Sequence, residues 1–243
     1  MPNYVQNILK IKNVKDVDNL IEKFTSKNDE GKDYFDFNKI IPRPERLNLT
    51  EGSITDEAIK YALYKMPIEQ RNFILNRINR TFKWLESDDI NELNKTKERF
   101  ENELKNNNKD DLEYIDYAKF GIKSFEDLGN AYINNIIDYG YATWYDWSIE
   151  NWGTKWGAME NKIIKGKNYI KFYFETAWST PLPIFEVLSN IIDNDMEIWY
   201  ADEDIGNNCG KIYYTNKEEI IEYKEDDREF ANRVWRETEK LEG

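Results

Sequence analysis

The sequence contains no histidine and a single cysteine, Cys209, among its 243 residues. The first absence excludes Ser-His-Asp and Cys-His catalysis, histidine-ligated zinc or iron, and the side chain that ordinarily shuttles protons near neutral pH. The second excludes an internal disulfide and any multi-thiolate zinc or iron–sulfur site, so Cys209 is read as a buried or half-buried thiol. No apolar run approaches the roughly 18 to 20 residues needed to cross a bilayer. The opening Met1-Pro2-Asn3-Tyr4 begins a strand-like pattern, unlike a signal peptide. A cytoplasmic protein with no membrane partner is expected. Positive charge is also short, with 34 Lys and Arg against 47 Asp and Glu and a formal charge of −13. No basic run offsets this, which makes duplex DNA a poor partner.

Large apolar side chains are plentiful: 8 Trp, 16 Tyr and 12 Phe supply enough surface to offset the entropy of ordering a chain this size. In residues 4–12, Val5, Leu9 and Ile11 alternate with Gln6, Lys10 and Lys12, the period of a half-buried strand. Val17, Leu20, Ile21 and Phe24 follow at helical spacing from about Asp16. Phe35, Phe37 and Ile41 alternate again before Pro42 and Pro44. From Thr55 to about Tyr139 the period is 3.6, broken at Pro67, Ser87-Asp88-Asp89, Asn106-Asn107-Asn108 and Gly121. One narrow stripe there is Ile90, Leu93, Lys97, Phe100 and Leu104; another is Phe125, Leu128, Tyr132 and Ile136, behind a capping-box-like Ser124-Phe125-Glu126-Asp127.

After Gly140 a two-residue period places Tyr145, Trp147 and Ile149 on one side of an expected strand. A further strand carries Ile170, Phe172 and Phe174, and Ser179-Thr180-Pro181 reads as the cap of a helix burying Ile184, Leu188, Ile191 and Ile192. Met196–Ala201 and Lys211–Thr215 form an expected hairpin across the loop Asp202–Gly210, with an acidic helical tail from about Glu225. The expected fold is a single α+β domain: β-α-β in 1–50, a helical insertion in 54–140, strands, helix and hairpin in 141–216, and the tail in 217–243. This order suits a ferredoxin-like antiparallel sheet with helices on one face. The competing arrangement has a small N-terminal unit and a separate C-terminal ferredoxin-like domain on either side of a helical connector.

Two aromatic groupings are candidate sites. Trp144, Trp147, Trp152 and Trp156 fall within thirteen residues and close on Trp152-Gly153-Thr154-Lys155-Trp156. These rings either pack a core or offer stacking surface beside a lysine charge, a glycine backbone and a threonine hydroxyl. The spacing is not that of a Walker loop. Tyr173, Trp199 and Tyr213 come from three expected strands on the side away from the aliphatic residues, where they form either a stacking platform or a second core layer. Asp202-Glu203-Asp204 and Glu225-Asp226-Asp227 lack the spacing of a calcium loop and read as solvated charge. Asp36 sits in no recognisable catalytic pattern. No metal or cofactor is expected.

Three blocks in this order carry a family resemblance. Phe35-Asp36-Phe37-Asn38-Lys39-Ile40-Ile41-Pro42, then Trp152 to Trp156 with Ala158, then Phe174-Glu175-Thr176-Ala177-Trp178 with Pro181 resemble the signature blocks of YubB-like proteins. The resemblance runs from about residue 4 to 215 and departs from the family at Arg43, where a methionine is usual, and in the helical middle. It implies carriage by plasmids and phages, a ferredoxin-like domain toward the C-terminus and no agreed enzymatic activity. The expectation that follows is a non-enzymatic binding protein that inhibits a host component, such as part of a CRISPR–Cas antiviral defence, by contact with a host protein of basic surface. Trp178 joins the binding candidates through this resemblance. Two alternatives are a binder that holds a nucleotide or nucleotide-derived signal on the aromatic surface, and a carboxylate and Mg²⁺ hydrolase.

Overall fold

The computed structural model of the chain describes residues 3–78, 87–106, 115–215, 218–224 and 226–239. The elements in chain order are β1 (Tyr4–Ile11), α1 (Val17–Phe24), β2 (Thr25–Lys27), β3 (Asp33–Phe35), α2 (Ser53–Lys65), α3 (Ile68–Ile78), α4 (Ser87–Asn106), α5 (Phe125–Tyr139), α6 (Trp144–Trp152), β4 (Met159–Lys165), β5 (Ile170–Ala177), α7 (Leu182–Ile191), β6 (Met196–Asp202), β7 (Cys209–Thr215), β8 (Glu218–Tyr223) and α8 (Arg228–Glu239). They form two compact units, Met1–Pro42 with Ser148–Gly243, and Arg43–Trp147.

The first unit is built on an antiparallel sheet of order β4-β5-β1-β6-β7-β8. β1 pairs with both β5 and β6, which therefore run parallel to each other and are joined through α7. This is the split β-α-β unit of a ferredoxin-like fold, with the split filled by the first strand of the chain. β1 is buried on both faces. Val5, Leu9 and Ile11 share one face with Phe172 and Phe174, while Ile8 shares the other with Tyr173 and Trp199. On the first face Phe35 packs on Phe172 and Phe174 at ring distances of 4.8 and 5.3 Å, and Phe185 of α7 approaches Phe174. The expectation of helices on one face holds for α7, but α8 brings Phe230, Ala231 and Val234 onto Ile8, Tyr173, Ala201 and Cys209 of the other face. The helical tail is thus a second core layer.

The second unit is helical, as the 3.6-residue period requires. Its core joins Ala58, Ile59 and Ala62 of α2, Leu93 and Phe100 of α4, and Phe125, Leu128 and Tyr132 of α5. Ser124 caps α5: its Oγ accepts from the Asp127 N–H at 3.2 Å while Asp127 Oδ2 accepts from the Lys123 N–H. α2 and α5 touch at Gly129, where a Cβ would lie 2.0 Å from the Ala58 carbonyl oxygen, so only glycine allows this approach. The expected Asn107-Asn108 break lies outside the described residues.

Several expectations are corrected. The strand at Tyr145–Ile149 is helix α6, because Trp144, Trp147 or Ser148, and Trp152 also fit helical spacing and five residues of alternation do not separate the two periods. The strand through Phe35 to Ile41 stops at Phe35: Asp36 Oδ1 accepts from the Asn38 N–H at 2.9 Å and starts a 3-10 turn, Phe37–Lys39. α7 begins after Pro181 without a side-chain cap, since the Ser179 and Thr180 hydroxyls donate elsewhere. Ile191, expected in its core, is exposed. The edge strands β4 and β8 were not anticipated. β8 occupies part of the segment read as tail, its glutamates having the look of solvated helix while they blunt a sheet edge.

Candidate functional site

Two loops of the sheet unit meet at one surface. α6 ends at Gly153, whose φ of 76° places it in the left-handed region and whose N–H donates to the Ile149 carbonyl at 3.1 Å. A Cβ at Gly153 would come within 2.8 Å of Pro183 Cδ. The next residue, Thr154, is buried and donates its hydroxyl to the Ala177 carbonyl at 2.8 Å. This ties the 153–156 turn to the end of β5 and leaves Lys155 and Trp156 half-buried.

The second loop follows β5. Trp178 has a φ of 72°, a conformation in which a bulky side chain is a genuine outlier. Its N–H donates to the Asn3 carbonyl at 2.8 Å. A buried polar network fixes the turn around it: Asn7 Nδ2 donates to the Val5 carbonyl at 2.9 Å and to Thr176 Oγ1 at 2.8 Å. Thr176 Oγ1 donates in turn to the Ser179 carbonyl at 2.8 Å, and Thr180 Oγ1 donates to Asn7 Oδ1 at 2.7 Å. Ser179 Oγ donates to the Gly153 carbonyl, linking the two loops. Strain of this kind persists only where its surroundings over-determine it, and here a fully engaged asparagine does so.

The outcome is an apolar surface with one cation. The Lys155 ammonium lies 4.5 Å from the Trp156 ring centroid and 5.3 Å from that of Trp178, within cation–π reach of both. Trp178 is 40% exposed, and Ile149 and Leu182 are exposed near the same turn. Such a surface can seat an apolar or planar group beside an anion, or form the centre of a protein contact.

The other predicted residues are placed differently. Trp152 is 2% exposed, donates Nε1–H to the Ile41 carbonyl at 2.9 Å and packs edge-on against Phe37; it is core. Trp144 and Trp147 belong to the helical unit. There Arg43 lies over the Trp144 ring, and burial lowers its pKa to about 10, still charged at neutral pH. Tyr173, Trp199 and Tyr213 do share one sheet face, but α8 covers much of it. Tyr173 is buried and its hydroxyl accepts from Lys171 Nζ at 3.1 Å. Trp199 has the Lys211 ammonium and the Arg233 guanidinium over its ring at 4.8 and 5.0 Å and donates Nε1–H to Glu197. Tyr213 is half-buried, and burial, then Glu197 and Glu222, push its pKa up.

The acidic runs serve the backbone. Asp202 is buried and accepts from Asn3 Nδ2, Asn208 Nδ2 and the Asp204 N–H. Asp227 Oδ1 accepts from the Phe230 N–H in the first turn of α8, and Glu225 lies outside the described residues. Asp36 caps its 3-10 turn and accepts from Ser26 Oγ at 2.6 Å. Among the described residues no cluster of three or more acidic or cysteine side chains is placed to hold a metal ion. Asn7 and Thr176 escape sequence reasoning because a polar residue in an alternating strand looks outward, and Thr180 because it reads as part of a helix cap. Their one signal is that Asn7 breaks the apolar series Val5, Leu9, Ile11.

Residues 151–243 match a family model described as a ferredoxin-like domain in Api92-like protein. This segment contains every strand of the six-stranded sheet except β1. No curated protein matches the chain. Among solved structures, a crystal structure of a protein api92 from Yersinia pseudotuberculosis is similar at 10% identity and a TM-score of 0.43, covering 92% of this chain and 98% of that one.

Proposed function

We propose that the chain is a non-enzymatic binding protein that contacts its partner through the surface formed by Lys155, Trp156, Trp178 and Leu182. The observation that carries this reading is Trp178, a strained, half-exposed indole in a turn fixed by a buried polar network. Folding stability alone favours glycine or asparagine at such a position. A tryptophan held there presents its ring outward, and rigid aromatic anchors beside a cation dominate the energetics of protein interfaces.

The partner in this reading is a host protein, and the role is inhibition of a host defence component, with CRISPR–Cas as the leading example. The resemblance to YubB-like plasmid and phage proteins supports the mobile-element origin. The excess of acidic over basic residues supports a partner of basic surface, steered by long-range attraction to the rim of the contact. A nucleotide held on the aromatic sheet face is less favoured, because α8 covers that face.

The test is capture from host lysate on immobilised protein, comparing the parent with a Lys155→Glu, Trp178→Ala variant whose fold is checked by circular dichroism. A stoichiometric partner retained by the parent, released by salt and lost from the variant is expected. Absence of any stoichiometric partner, or its equal retention by the variant, overturns the reading.

A further inference from the structure

We propose that Trp156 and Trp178 form a two-walled cation site, filled in the free protein by Lys155, into which a basic partner inserts the guanidinium of an arginine. This rests on the reading of the same surface as a contact site and adds the group that enters it. The Lys155 ammonium lies over the faces of both indoles, 4.5 Å from the Trp156 centroid and 5.3 Å from that of Trp178. A point over two indole faces at these distances suits a cation of any origin, because each ring presents the negative side of its quadrupole. Trp199 and Phe230 also share cations, Lys211 and Arg233, but Phe230 is buried in the α8 layer. Trp178 is 40% exposed, so its site opens to a partner.

The walls are fixed, whereas the present occupant is replaceable. The Thr154 hydroxyl donates to the Ala177 carbonyl, the Ser179 hydroxyl to the Gly153 carbonyl and the Trp178 N–H to the Asn3 carbonyl, so both ring-bearing turns are set through the backbone. Lys155 reaches the rings on a flexible four-carbon stem and carries a strongly hydrated ammonium. A guanidinium is planar, less hydrated and stacks on an indole face, so it gains more from the same rings. Neighbouring charge also favours a cation. The loop after β6 is joined to Trp178, Asn208 Nδ2 donating to its carbonyl at 3.4 Å, and it carries the exposed Glu203 and Asp204. Glu150 is exposed one helical turn before Gly153. These carboxylates draw a basic side chain toward the rings. A second copy of this chain, with its formal charge of −13, is repelled by the same field.

The test is an NMR titration of the full chain that follows the indole N–H signals of Trp156 and Trp178. The probes are acetyl-Gly-Arg-Gly-amide and its citrulline counterpart, which keeps the shape of arginine and lacks its charge. The arginine peptide is expected to shift both signals saturably and the citrulline peptide to leave them in place. Lys155→Ala empties the site and is expected to bind the arginine peptide about twofold to fivefold more tightly, because the exposed cation–π contact no longer competes. Lys167→Ala, which removes the same charge at an exposed position between β4 and β5, is expected to bind like the parent, and Trp178→Ala to lose binding. Equal shifts from the two peptides, no saturable shift, no tightening by Lys155→Ala, or equal tightening by Lys167→Ala overturns the proposal. No host protein enters this titration. If it fails while a host partner is still lost from the Lys155→Glu, Trp178→Ala variant, the surface is a contact site without an arginine anchor; if arginine binds and no host partner is captured, the contact reading fails and the cation site stands.

Discussion

The backbone at Trp178 can be separated from its ring by two substitutions, Trp178→Ala and Trp178→Gly. Both delete the indole, which is 40% exposed, and both lose roughly 2 kcal/mol of apolar burial. They differ in one atom. At an ordinary position alanine is the more stable by about 0.4–1 kcal/mol, because glycine has more conformational freedom to lose on folding. At the φ of 72° observed here, a Cβ costs roughly 1–2 kcal/mol that glycine avoids. The second effect is the larger, so the usual order reverses and the glycine variant is the more stable by about 0.5–1 kcal/mol. For a chain of this size that corresponds to a melting temperature about 1–4 °C above that of the alanine variant. Urea midpoints followed by far-UV circular dichroism measure the difference directly. If the alanine variant equals or exceeds the glycine variant, Trp178 is not strained, and the argument that the network holds it for a purpose loses its basis.

Four further outcomes follow from the sheet unit. Leu9→Ala, in the central strand and fully buried, costs about 2–5 kcal/mol in urea unfolding. Because β1 fills the gap between β5 and β6, residues 151–243 alone are expected to lack a cooperative unfolding transition, and a peptide of residues 3–14 added in trans to restore it. Burial alone would raise the Glu197 pKa, but hydrogen bonds from Lys12 and Trp199 and the Lys12 charge outweigh it and hold the carboxyl below its usual range. A depressed folded-state pKa gives stability that is present above the unfolded value of about 4.3 and lost as pH falls through the folded one; Glu197→Gln should therefore flatten the acid limb of a melting-temperature profile. Cys209 is fully buried with Sγ donating to the Lys224 carbonyl, so a thiol reagent should label it only at the rate of unfolding.

The sequence announces elements whose pattern is long or capped. α5 declares itself through four apolar residues at helical spacing behind Ser124, and β5 through Ile170, Phe172 and Phe174, all buried. It is silent where chemistry and burial disagree. β4 and β8 are charged edge strands that resemble loop and tail, and β4 carries a register irregularity between Met159 and Lys162. The aromatic platform was legible as three residues on one face, but which element covers that face depends on α8, whose charged sequence gave Phe230 and Val234 no distinction as core. Lys155, Trp156 and Trp178 were legible as residues and not as a site. Their meeting depends on the Trp178 backbone conformation and on Asn7, both set by tertiary structure.

The central claim is that the chain acts by surface contact at Trp178, and a photo-reactive phenylalanine analogue at that position tests it most directly in host cells. The account predicts a single covalent adduct with one host protein from position 178, and none from the same analogue at Ile220, an exposed residue of edge strand β8. An adduct from position 220 with none from 178 would contradict it.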